Sequence, residues 1–289
     1  MLKPNILLSV KGLTVGLNND PNTKILSDVS LELGAGKVLG LIGEAGSGKT
    51  VLAKALIDGL SEPLVIESGE IHYGDTDVLK MSASKLGSIR GNKIGFIGSN
   101  PAGALDPTLP VGDQIVEKLR SVNPSMSKKA ATDRVLEVLT AVRIPSPEVR
   151  FHEYPFQFSG GMMQRVMIVD ALVTNPEILI ADNITQALDV TVAAQIIRLI
   201  RELKDEFNTA ILFISSSLPV AELIADEIMV LQEGRIVEHA TPKKLVNEPQ
   251  HAYTQSLLAR LPRIWGDDVV VPQAIETPTL MEVVDVHRT

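Results

Sequence analysis

Cysteine is absent from the 289 residues, which excludes disulfides, thiolate metal sites and cysteine-bound iron–sulfur clusters on this chain and fits a reducing compartment. Also missing is any apolar run near the roughly 20 residues needed to cross a bilayer. The opening MLKPNILLSV lacks the long apolar stretch of a signal peptide, so a membrane role is expected to come through partners. Positive charge is scarce: the net charge is -8, and no basic cluster exceeds the pairs at 128–129 and 243–244. That argues against nucleic acid as the main partner, because phosphate backbones attract Lys and Arg patches. Aromatic residues are few, and none precedes Tyr73.

What is present is an ordinary globular composition, 45% hydrophobic and 21% charged, which suits one large domain or two subdomains. Three short apolar runs read as buried parallel strands: KVLGLIG at 37–43, EILIAD at 177–182 and TAILFISSS at 209–217. In VTVAAQIIRLIRELKDEF, apolar residues from Val192 to Phe207 recur at helical spacing opposite Arg198, Arg201, Glu202 and Lys204. Strands alternating with helices predict an open parallel sheet whose ligands gather beyond the carboxyl ends of the strands, where Asp182 and the serines at 215–217 would meet. Prolines from Pro101 to Pro155 interrupt short helical patterns such as KKAATDRVLEVLTAV and predict a helical lobe set on that sheet. The tail from about 262 has valine and proline runs but no clear period, and reads as an extension that is either packed or partly mobile.

The first chemical motif is GEAGSGKT at 43–50, after a strand and before a helical pattern. Its residues Gly43, Glu44, Ala45, Gly46, Ser47, Gly48, Lys49 and Thr50 satisfy G-x-x-x-x-G-K-[ST]. Glycines let the backbone N–H groups surround a phosphate, Lys49 reaches the outer phosphates and Thr50 holds magnesium. Asp182, ending another strand, fits the magnesium shell. By itself Asp182 would read as a turn or cap residue. The second motif, YPFQFSGGMMQRV, puts Ser159, Gly160, Gly161 and Met162 at a helix start, which alone reads as a turn with an N-cap.

In this order the motifs resemble the ATP-binding cassette (ABC) superfamily, and closely the ATP-binding subunits of its peptide and nickel importers. The stretches SGEIHYGDTDVLKMS, FIGSNPAGALDPTLPVGDQI, LQEGRIVEHATP and HAYTQSLLARLP carry the resemblance over about residues 6–262. It implies an α/β fold: a P-loop (RecA-like) ABC nucleotide-binding domain with a helical subdomain and a short C-terminal extension. The expected boundaries are 1–98 and 165–261 for the ATP-binding core, 99–164 for the helical subdomain and 262–289 for the extension. It also implies ATP and magnesium, bound between two such domains, with the phosphate loop of one facing the SGG helix of the other. The ALD turn at 187–189, ending in Asp189, matches the family's D-loop.

Three positions depart from the family pattern. Asn183 stands where a glutamate polarises the attacking water, with Ile184 where proline is usual. Ser99 stands where a glutamine senses magnesium, and Ser216 where a histidine contacts the γ-phosphate. An amide cannot take the water's proton, and loss of general-base assistance costs about 100- to 10,000-fold. Drift at one position, or an engineered Glu-to-Asn trap, would not account for all three. The ring that often stacks on adenine is missing as well, since no aromatic precedes Tyr73.

The expectation is therefore a heteromeric importer of peptides or a related small solute, peripheral on the cytoplasmic face of the inner membrane. Its partners would be a second ATP-binding subunit, two membrane permease subunits and, indirectly, an extracytoplasmic solute-binding protein, with no nucleic acid. The chain would bind Mg-ATP with a degenerate site of its own and supply Ser159, Gly160 and Gly161 to the partner's site. Two alternatives stay open: an accessory cassette protein of the carbon–phosphorus lyase type, and a nucleotide-sensing regulator.

Overall fold

A computed structural model describes residues 5–186 and 188–261. The chain enters through two long strands, β1 (Ile6–Leu17) and β2 (Asp20–Gly34), then β3 (Val38–Ile42) and α1 (Lys49–Leu56). Next come β4 (Leu64–Tyr73), β5 (Thr76–Asp77), α2 (Ala83–Ile89) and β6 (Ile94–Ile97). Four helices follow without an intervening strand: α3 (Val111–Val122), α4 (Lys128–Ala141), α5 (Pro147–Phe151) and α6 (Gly160–Leu172). The remainder is β7 (Ile178–Asp182), α7 (Val190–Phe207), β8 (Ala210–Ser215), α8 (Leu218–Glu222), β9 (Glu227–Gln232), β10 (Arg235–Ala240), α9 (Pro242–Asn247) and α10 (Ala252–Ala259). The extension expected at 262–289 lies outside the described residues, and α6 runs through position 164.

Two sheets organise these elements. One is antiparallel, in the order β2-β1-β4-β5; the other has six strands in the order β10-β9-β3-β8-β7-β6 and is parallel except for the β9–β10 hairpin. β3, β7 and β8 are buried along their whole length, as strands covered on both faces must be. Their side chains alternate between two cores, because successive residues of a strand point to opposite faces. Leu39 and Leu41 of β3, Ile178 and Ile180 of β7, and Leu212 and Ile214 of β8 pack with α1 and the antiparallel sheet. Val38, Ile42, Leu179, Ala181, Ile211 and Phe213 pack with α3, α4, α6 and α7.

Helix boundaries follow from local chemistry. Ser127 caps α4 by accepting the Ala130 N–H at 3.1 Å, and Asp189 caps α7 by accepting the Val192 N–H at 3.0 Å. α7 stops at Asn208 in the left-handed conformation, φ 50°. No helix among the described residues is long and apolar enough to cross a membrane.

Phe213, fully buried at the centre of β8, is the largest side chain that the middle strands commit to the helical face. Phe213→Ala is predicted to lower unfolding free energy by about 3–5 kcal/mol, read from denaturant midpoints. Val190→Ala, at an exposed position, should stay within about 0.5 kcal/mol. A Phe213→Ala loss as small as that of Val190→Ala would contradict this packing.

Candidate functional site

The site is assembled by strand register. Ile42 pairs with Ser215 across β3–β8, Asp182 with Ile214 across β7–β8, and Ile97 with Ala181 across β6–β7. Four strands therefore end level, and the segments leaving them carry residues 43–50, Ser215 to Ser217, Asp182 with Asn183, and Gly98 with Ser99. This is the carboxyl edge where ligands of open α/β sheets collect.

The 43–50 loop wraps tightly into α1. Gly48 has φ 104°, and a Cβ there would come 2.7 Å from Leu26 Cδ2, so only glycine fits this turn. Lys49 is 5% exposed, and its Nζ donates to the carbonyls of Gly43 and Glu44, both at 2.7 Å, and to Ser47 Oγ at 3.2 Å. Burial lowers its pKa, an effect opposed by the charges of Asp182 and Glu44. Gly46 and Thr50 face solvent.

Asp182 is 1% exposed. Burial raises its pKa, while hydrogen bonds from Thr50 and Asn183 and the charge of Lys49 oppose that rise. Thr50 and Asp182, two hard oxygen donors, are thus in contact beside the glycine loop. Among the described residues no cluster of three or more His, Cys, Asp or Glu could hold a metal by itself. These two oxygens therefore suit a magnesium ion that keeps waters and phosphate oxygens in its shell, as magnesium prefers.

Asn183 is turned onto the Asp182 carboxylate. Its N–H continues the ladder to Ile214 O at 2.9 Å, and its φ then turns to 52°, a left-handed conformation that asparagine tolerates. The side-chain amide folds back and donates from Nδ2 to Asp182 Oδ1 at 2.9 Å. Ile184, buried in the core, permits this turn. A proline in its place would hold residue 183 in the extended region. Ser216 is exposed in the turn after β8, beside a local hydrogen bond from the Ser217 N–H to Ser215 Oγ.

The second motif lies elsewhere. α6 packs on the edge strand β6, three strand spacings from β3, or roughly 14 Å at about 4.8 Å per strand. Ser159 caps it, accepting the Met162 N–H at 3.4 Å. A Cβ on Gly161 would meet Val192 Cγ1 of α7 at 2.9 Å, whereas one on Gly160 would meet nothing within 4 Å. Gly160 and Ser99 line a common apolar groove of about 460 Å³ with Pro101, Phe158, Met163 and Leu188. Phe156, 73% exposed and stacked on Tyr154 at 5.7 Å, stands on its rim. Asp189 is exposed at the start of α7, and Ala187 lies outside the described residues.

Two residues were not singled out from the sequence. Tyr253 accepts the Glu44 N–H at 3.0 Å, and Arg260 pairs with the Glu44 carboxylate. Both belong to HAYTQSLLARLP, whose likeness to a subfamily was legible but whose contact with the loop was not.

Comparison with known proteins identifies the family and the fold. Residues 26–186 match the family described as ABC transporter. The chain is 40% identical over 259 residues to the dipeptide transport ATP-binding protein DppD of Lactococcus lactis subsp. cremoris, covering 89% of this chain and 74% of that protein. It is 39% identical over 266 residues to the oligopeptide transport ATP-binding protein OppD of Bacillus subtilis, covering 91% and 74%. Its structure superposes on MJ0796, described as a bacterial ABC transporter cassette and solved as a dimer, with TM-score 0.71 and 25% identity, covering 81% of this chain and 98% of that one. A similar match, at TM-score 0.74, 24% identity and 90% of this chain, is made to cbiO1 from Clostridium perfringens, covering 97% of that protein. On its fold, its phosphate-type loop and these relatives, the chain belongs to the ABC transporter family.

Proposed function

We propose that this chain is the ATP-binding subunit of a heteromeric importer of peptides or a related small solute. Its own loop binds Mg-ATP and turns it over poorly, and its α6 N-terminus completes the site of a partner subunit. The observation that carries the reading is the pairing of an intact loop with Asn183, whose amide is committed to Asp182 at 2.9 Å and has no capacity to accept a proton from water. The relatives that are ATP-binding proteins of dipeptide and oligopeptide transport support peptide as the solute class.

The loop amides and Lys49 would hold the phosphates, while Thr50 and Asp182 would hold magnesium, which neutralises charge on the phosphates when bound. Ser99 and Ser216, both exposed, are too short to reproduce a glutamine and a histidine. The separation of Ser159, Gly160 and Gly161 from β3 by three strand spacings favours their use by a second chain. Asp189, exposed at the start of α7, would face that chain as well. The apolar groove beside Ser99, rimmed by Phe156, suits a membrane subunit's docking segment. It favours transport over a soluble accessory or regulatory role.

The test is nucleotide binding and steady-state turnover by the purified chain, alone and with its partner. Binding without turnover is expected, and Lys49→Ala should weaken Mg-ATP binding at least about 10-fold, or 1.4 kcal/mol; ordinary turnover by the chain alone would contradict the reading. Because Ile184 permits the left-handed turn, Asn183→Glu combined with Ile184→Pro should recover at least about threefold more turnover than Asn183→Glu alone, which would strain a left-handed glutamate. Equal recovery would remove the backbone argument. Gly160→Asp should leave the melting of the isolated chain within about 0.5 kcal/mol, since its Cβ has open space. In the complex it should cut turnover at the partner's site at least about 10-fold. Unchanged turnover there would exclude a shared site.

A further inference from the structure

The peptide at Glu44 is gripped from every side. Its carbonyl accepts from Lys49 Nζ at 2.7 Å and from the Ser47 N–H at 3.2 Å. Its N–H donates to the Tyr253 hydroxyl oxygen at 3.0 Å, and its carboxylate pairs with Arg260. The last two partners come from α10 and the residue that caps its C-terminus, more than 200 residues along the chain. α10 is itself fixed at its start: Glu238 of β10 accepts the N–H groups of Gln250 at 2.8 Å and His251 at 3.0 Å. His251 Nδ1 then accepts the Tyr253 N–H at 3.2 Å. The β9–β10 turn reaches the same loop, with the Gly234 N–H donating to Ser47 O at 3.0 Å.

This arrangement has two physical effects. The two carbonyls that fix Lys49 belong to Gly43 and Glu44, so whatever holds the Glu44 peptide also sets where the ammonium sits. The Glu44 carboxylate is an exposed anion on a loop built to receive a polyanion, and Arg260 offsets it. A nucleoside triphosphate carries more charge than a diphosphate and feels an uncompensated carboxylate more strongly.

We propose that α10 positions the phosphate loop, with Tyr253 holding the Glu44 peptide and Arg260 screening the Glu44 carboxylate, so that the outer phosphate meets Lys49 without an opposing charge. The proposal deepens the reading above and rests on residues 43–50 binding Mg-ATP. Tyr253 and Arg260 are positioning residues that act through Glu44 and Lys49.

The full chain and its Tyr253→Phe, Arg260→Gln and Glu44→Gln/Arg260→Gln variants are titrated with Mg-ATP and Mg-ADP at low and high salt. Tyr253→Phe frees the Glu44 amide to solvent and loosens the loop, and it should weaken both nucleotides by roughly 2- to 5-fold. Arg260→Gln should weaken Mg-ATP by roughly 2- to 5-fold and Mg-ADP by less, with the difference shrinking at high salt as expected of an exposed pair. Glu44→Gln/Arg260→Gln should restore Mg-ATP affinity, which a merely structural role for Arg260 does not predict. Parent-like affinities in both single variants, or a double variant as weak as Arg260→Gln, would overturn the proposal while leaving the function intact. Failure of the parent chain to bind Mg-ATP would overturn both.

Discussion

The in-register parallel pairing of β3, β8, β7 and β6 is the constraint on which everything else depends. A shift of one residue in any of these pairs would exchange side chains between the two cores that flank the sheet and draw one strand end back from the edge. Because Ile42, Ser215, Asp182 and Ile97 finish together, a glycine loop, a carboxylate and two serine turns share one rim. The same alternation divides each strand's side chains between two cores. α1, which leads out of the loop, is thereby sandwiched against the antiparallel sheet, and the loop has a rigid base.

Within that frame the proposed function turns on Asp182 and Asn183. Asp182 is buried and held by Thr50 and Asn183, an arrangement suited to a metal's coordination shell. The next residue leaves the strand in a left-handed turn and spends its side chain on that same carboxylate. On the proposed function this is how an intact binding site coexists with weak hydrolysis, and it shifts the burden of turnover to a site completed by another chain.

Much of this was legible in the sequence, for identifiable reasons. GEAGSGKT is a contiguous motif, and the runs that became β3, β7 and β8 are apolar enough to show burial without a partner in view. α7 appeared through its helical period, and its buried Ile196, Ile200 and Leu203 follow the predicted face. The antiparallel sheet did not appear. Its strands β1 and β2 pair through repeated register shifts, which break simple alternation, and one face alone supplies its apolar signal. The turn at Asn183 was signalled only by isoleucine in place of proline, and its consequence is a backbone angle. The grip of Tyr253 and Arg260 on Glu44 joins segments separated by the whole fold, so no local pattern could announce it.

The most direct test of the central claim is a crystal structure of the chain grown with Mg-ATP and left long enough for an active cassette to consume its nucleotide. The expected result is an intact triphosphate on residues 43–50, with magnesium at Thr50 and Asp182, and with the Asn183 amide still on Asp182 at positive φ. A diphosphate in the loop, or Asn183 swung out to order a water at the γ-phosphate, would contradict it.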